Sequence, residues 1–164
     1  MSELPTYVLE RTFDAPPELV WRTWTEPELF ARWYGPNVET VIHHMEPTAG
    51  GTCLIEMKMD GNSFYQRLDY TEVTPPTRLV GLNANTDGDW NIAANPMMPD
   101  WPRVLLTTVT FEAQGGQTKL RLVWEPHQAT EAEIAGFAAA MDRLGSGWGA
   151  GMEKLAALLT EMQQ

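Results

Sequence analysis

The stretch TEAEIAGFAAAMDRLGSGWGAGMEKLAALLTEM, residues 130–162, decides the fold. Ile134, Phe137, Met141, Leu144, Trp148, Met152, Leu155, Leu159 and Met162 recur along it at intervals of three or four. That spacing lays apolar side chains in one stripe on a helix. Thr130 and Glu133, three apart and just ahead of the apolar run, form a capping-box signature. The expected element is a long amphipathic helix that needs a broad apolar surface to lie on. Gly145, Gly147, Gly149 and Gly151 alternate through its middle. Each costs about 1 kcal/mol relative to Ala in a helix interior. Two readings stay open there: a kink, or a cleft where another group comes close. Ser146 between these glycines resembles a nucleophile elbow by letters alone; it stands inside a helical pattern rather than at a strand-to-helix turn, so it is set aside.

The broad surface is found upstream. Strands are expected at Val38 to Met45, Thr52 to Met59, Phe64 to Val73, Arg78 to Asn83, Val104 to Ala113 and Thr118 to Glu125. Gly50-Gly51, Asp60-Gly61, Pro75-Pro76 and Gly115-Gly116 separate most of them, each a turn signal. Leu120, Leu122 and Trp124 alternate with Lys119, Arg121 and Val123; Cys53, Ile55, Met57 and Met59 alternate with Leu54, Glu56, Lys58 and Asp60. One face toward a core and one toward water means an antiparallel sheet.

Ahead of these strands, Thr6 to Asp14 reads as another, with Leu9 and Phe13 on one side. Asp14 is the expected cap of a helix opened by Pro16-Pro17, with Val20, Trp21 and Trp24 on one face. Thr25-Glu-Pro-Glu28 has the form of a second capping box, starting a short helix with Leu29, Phe30 and Trp33 that Gly35-Pro36 ends. The interval from Ala84 to Arg103 has no period. It carries Trp90 and Trp101, and so long a loop in a compact domain reads as a lid or rim.

Composition narrows the function classes. Acidic residues number 22 against 11 basic, a formal charge of −11. That opposes binding to nucleic-acid phosphates or anionic membranes. Cys53 is the single cysteine, which excludes an internal disulfide and a cysteine-based zinc site. The N-terminus lacks a signal-peptide pattern and no apolar run approaches the roughly 18 residues of a membrane span. A cytoplasmic location is the resulting expectation. No phosphate-binding glycine motif occurs, Asp87-Gly-Asp89 lacks the further acidic ligands of a calcium loop, and no cofactor is called for. Metal binding is not expected. His43 and His44, adjacent on a strand, should point to opposite faces, so one should turn inward, either as a satisfied structural histidine or, if chemistry occurs, as the best general-base candidate. Seven tryptophans remain to be accommodated.

Several motifs carry a resemblance. Arg11-Thr-Phe-Asp-Ala-Pro16, Val20-Trp21, Trp24-Thr25-Glu-Pro-Glu28 and Trp33-Tyr-Gly-Pro36 are followed by Gly50-Gly51, Asp60-Gly61 and Tyr70-Thr-Glu-Val-Thr-Pro-Pro76 with Arg78-Leu79. Gly147-Trp148, Leu155 and Leu158 complete the set. Across nearly the whole chain the sequence resembles the activator of heat-shock-protein-90 ATPase homologue family of the START-like (SRPBCC) superfamily. Glu46 and Thr48 stand where many relatives carry an Asp-x-Arg pair, and Leu68 where a glycine is common.

The resemblance implies an α+β helix-grip fold over residues 1–164 as one domain: a curved antiparallel sheet wrapped around the C-terminal helix, with two short helices after the first strand. It also implies a cavity between helix and sheet. Phe137, Met141 and Trp148 from the helix should face Met57, Val109, Phe111, Leu122 and Trp124 from the sheet. Trp90 and Trp101 should rim the mouth, and Tyr70 could orient a ligand. The alternative is that these residues fill a closed core. The leading reading is a protein that binds a small apolar or aromatic molecule, with no assigned catalytic residue. An enzyme acting on an aromatic or polyketide-like substrate and a co-chaperone-like ATPase activator are the rivals. A homodimer remains open.

Overall fold

Alternation and turn chemistry build the sheet. The computed structural model describes residues 4–35, 38–95 and 98–164, excluding the side chains of residues 146 and 147. Pro36 and Met97 therefore lie outside the description, as does the side chain of Ser146. Elements run β1 (Tyr7–Phe13), α1 (Pro17–Thr25), α2 (Pro27–Trp33), β2 (Glu39–Met45), β3 (Thr52–Met59), β4 (Asn62–Thr74), β5 (Arg78–Thr86), β6 (Val104–Gln114), β7 (Gln117–Pro126) and α3 (Glu131–Met162). All seven strands form one antiparallel sheet in the order β1-β7-β6-β5-β4-β3-β2. This is the helix-grip fold.

Asp60 (φ 52°) and Gly61 (φ 81°) turn β3 into β4, and Gly115 (φ 57°) and Gly116 (φ 91°) turn β6 into β7. Two successive positive φ values match the right-handed twist of the strands they join. The concave face collects Phe13, Ile55, Tyr70, Leu79, Val109, Phe111, Leu120 and Leu122, all buried. Helix α3 lays Phe137, Met152, Leu155, Leu158 and Leu159 onto that core, likewise buried. Its start is the expected capping box: Thr130 Oγ1 accepts from Glu133 N at 3.1 Å, and Glu133 accepts from Thr130 N at 3.0 Å. The helix is continuous through Gly145–Gly151. Among the described residues, a Cβ at Gly149 would meet nothing within 4 Å, so no close approach among them accounts for that glycine.

Three local expectations are corrected. Pro16, not Asp14, occupies the N-cap of α1, where its extended backbone leads into the proline at the first helical position. Thr25 does not cap α2: its hydroxyl donates to Trp21 O at 2.9 Å within α1, and Glu26 holds the cap position without a side-chain bond. The histidine alternation fails because β2 bulges between Ile42 and His44. An extra residue in a strand resets its facing. Both histidines are exposed and pair with carboxylates, His43 with Glu56 at 2.8 Å and His44 with Glu46 at 3.8 Å. Neither points into the core.

Candidate functional site

A cavity of about 310 Å³ lies between the sheet and α3. Four elements wall it: Met57, Gln66, Asn85 and Trp124 from the sheet, Leu144, Trp148 and Gly151 from α3, Trp33 and Tyr34 from the end of α2, and Met98 and Trp101 from the β5–β6 connection. Asn95 and Arg143 also line it. Aromatic contacts run along the wall without a break. Trp101 meets Trp124 at 6.3 Å between centroids, Trp124 meets Trp148 at 5.2 Å, and Trp148 meets Tyr34 at 6.3 Å, each edge-on. Edge-to-face packing suits rings whose edges are positive and faces negative.

Gln66 and Asn85 pair across β4 and β5, and both point to the concave side. Buried amides need partners. Gln66 Oε1 accepts from the Tyr34 hydroxyl at 2.7 Å, and Asn85 Nδ2 donates to Pro102 O at 3.3 Å. Burial pushes the Tyr34 phenol up to about 12, against a smaller lowering by its hydrogen bond with Asn83. At neutral pH Tyr34 is therefore an uncharged donor. Gly35 lines the cavity with φ at +78°, and a Cβ there would come within 2.9 Å of Thr40 Oγ1 and 3.2 Å of Met57 Sδ.

Behind Trp148 lies a second space of about 30 Å³, which shares Tyr34, Trp124 and Trp148 with the larger cavity. Tyr70, Leu122, Thr107, Trp24 and Asn83 are among its walls. Cys53 is fully buried, and burial pushes its thiol up to about 12 and the Tyr70 phenol up as well. Neither group is ionised near neutral pH.

A family model described as Activator of Hsp90 ATPase homolog 1-like protein matches residues 14–160. The chain belongs to the Activator of Hsp90 ATPase homolog 1-like family. No curated protein sequence matches the chain. Among solved structures, a protein from Arthrobacter aurescens superposes with a TM-score of 0.79 at 22% identity, covering 95% of this chain and 86% of its own. Protein Ms6760 from Mycobacterium smegmatis gives 0.78 at 20% identity, covering 96% of each chain. DynU16, a protein of the dynemicin biosynthetic locus, gives 0.65 at 18% identity, covering 94% of this chain and 47% of its own. These likenesses establish the fold.

Within this family fold, the residues named from sequence divide by position. Met57, Trp101, Trp124 and Trp148 line the larger cavity, and Tyr70 and Leu122 line the inner space. Val109, Phe111 and Phe137 are closed in the core, no more than 2% exposed. Met141 packs partly buried against that core and does not line the cavity. Trp90 is displaced furthest from expectation. It packs edge-on against His43 at 5.5 Å and Tyr65 at 5.3 Å, on the convex side of the sheet, and its carbonyl accepts from Arg67 Nη1 at 2.9 Å. The reason is parity: Tyr65 and Arg67 sit one residue out of step with the inward Gln66. Sequence reasoning missed Tyr34, Gln66, Asn85, Asn95, Met98, Arg143 and the site position of Leu144. Gln66 was recoverable, because it keeps step with Phe64 and Leu68. Leu144 already stood in the helical stripe.

Proposed function

We propose that the chain binds a small apolar or aromatic molecule in the cavity between the sheet and α3. The observation that carries this reading is the unbroken aromatic wall of Trp101, Trp124, Trp148 and Tyr34 around a space of about 310 Å³. Largely apolar concave sites with a few convergent polar groups are the usual form of small-molecule pockets. Gln66, Asn85 and Tyr34 are such groups. The wall also bears on the enzyme alternative. Among the described residues lining the cavity, Tyr34 and Arg143 are the ionisable side chains, so acid–base chemistry by His, Cys or a carboxylate finds no support there.

Fluorescence titration with naphthalene and a series of substituted naphthalenes tests the reading, with the tryptophans as intrinsic reporters. Saturable quenching by probes that fit the cavity is expected. Absence of binding by every member of the series, with clear stimulation of an Hsp90-type ATPase, would replace this reading with the co-chaperone one.

A further inference from the structure

Several residues that line the inner space beside Trp148 carry buried polar atoms. Trp24 Nε1, the Tyr70 hydroxyl, Thr107 Oγ1 and Trp124 Nε1 are all buried without a geometric hydrogen-bond partner among the described residues, and all four residues line this one space. Trp24, Tyr70 and Thr107 are 7%, 3% and 9% exposed. The Tyr70 hydroxyl neighbours the Cys53 thiol, which is only a weak acceptor. Buried donors left unpaired are costly, and native folds pair nearly all of them. Three groups without a partner and one with only a thiol beside it, around one small space, therefore point to an occupant.

The chemistry of that occupant follows from the donors. An indole N–H donates and never accepts, so two of the four groups demand an acceptor. Tyr70 and Thr107 hydroxyls can donate to the same atom. Among the described residues, none that lines it is Lys, Arg or His. An ionised carboxylate would be buried without a counter-charge, at heavy cost. A neutral acceptor oxygen meets both conditions. The volume of about 30 Å³ suits one such group and no ring system. Tyr34, Trp124 and Trp148 border both spaces, so these three side chains stand between a molecule held in the larger cavity and the inner space, and its polar tip has to pass them.

We propose that the inner space is a carbonyl-recognition pocket, and that the ligand is an aromatic or apolar molecule bearing a neutral ketone, ester or amide oxygen. This inference rests on the small-molecule reading above and specifies the ligand class for it.

The test compares methyl naphthyl ketone with isopropenyl naphthalene, which has the same shape with a CH₂ in place of the oxygen. Both are titrated into the wild-type protein and into Tyr70→Phe, Thr107→Val and Trp124→Phe, with thermal melting to establish that each variant is folded. Each variant deletes one donor and leaves most of the side chain's bulk. The ketone should bind the wild type about tenfold more tightly than the hydrocarbon, the range expected from one or two buried hydrogen bonds. Within each variant that ratio should fall toward one. A wild-type ratio near one overturns the inference while the cavity reading stands, and is the result expected of a space filled by a captive water. A ratio that all three variants leave unchanged also overturns it. Failure of both probes to bind the wild type overturns the cavity reading itself.

Discussion

Trp148 of α3 meets Trp124 of β7 edge-on, with ring centroids 5.2 Å apart and planes at 73°. The contact separates the larger cavity from the small polar space behind it, since both rings line both. Replacing Trp148 with Ala removes the partition. A stability loss of about 2 kcal/mol is expected, below the range for a fully buried tryptophan because this one is partly exposed. Naphthalene affinity should fall about tenfold, since each 1.4 kcal/mol of lost contact is a factor of ten. Urea unfolding and fluorescence titration measure the two effects separately.

The two loop tryptophans should behave differently. Trp101 touches Trp124 and Phe137, at 6.3 and 5.4 Å between centroids, and lines the cavity. Trp101→Ala is expected to weaken naphthalene binding by about tenfold. Trp90 packs on the other side of the sheet, against His43 and Tyr65. Trp90→Ala should leave naphthalene binding within about twofold of wild type, because sites without shared partners act independently. Equal losses in both variants would contradict this placement.

Glu133 ties the start of α3 to the end of the β5–β6 connection. Its carboxylate accepts from Arg103 N at 2.7 Å and Thr130 N at 3.0 Å, with Arg103 Nε 3.4 Å away. Burial alone would raise its pKa; the backbone bonds from Thr130 and Arg103, with the Arg103 charge, outweigh it and hold the carboxyl below its ordinary value of 4.5. A depressed folded value means that the carboxylate's contribution to stability is fully present above the unfolded value and is lost as pH falls through the folded one. Glu133→Gln should therefore cost about 1–2 kcal/mol at pH 7. The difference from wild type should shrink steadily below pH 4.5. Urea midpoints at a series of pH values check the sign.

Two glycines of α3 should respond in opposite directions to Ala. At Gly136 a Cβ would collide with Asp100 O, a backbone atom that can yield only if the connection shifts. Gly136→Ala is expected to destabilise by about 2 kcal/mol or more, as overpacking does. Because Asp100 adjoins Trp101, naphthalene binding should weaken with it. At Gly149 a Cβ meets nothing within 4 Å among the described residues. Gly149→Ala should raise stability by up to about 1 kcal/mol through helix propensity. Thermal melts of the two variants decide it.

Periodicity carried most of the secondary structure. Strand β3 begins and ends at the residues the alternation marks, and the stripe from Ile134 to Met162 lies within one helix. Errors gathered at caps and at one bulge. Thr25 matched a capping signature, yet its hydroxyl is held by Trp21 O in the preceding helix. The histidine pair obeyed simple alternation until an inserted residue reset it. Both failures come from local hydrogen bonding, which residue spacing does not record.

The site was legible in part. Trp124 and Trp148 could be placed on facing surfaces because each belongs to a regular element with a known period. Trp90 could not, because its loop has no period and its φ of 68° lies where few side chains go. Phe111 and Phe137 share the apolar pattern of the cavity wall but are sealed by Trp21 and Trp24 in one case and Trp101 in the other. The sequence by itself determined which face of each regular element is apolar, since that follows from local period and turn chemistry, and its motifs carried the family resemblance that implied the helix-grip architecture. Only the tertiary structure decided which apolar residues surround a cavity and which pack solid. It alone gathered Trp24, Tyr70, Thr107 and Trp124 around one small chamber, because that depends on how elements distant in sequence are brought together in register.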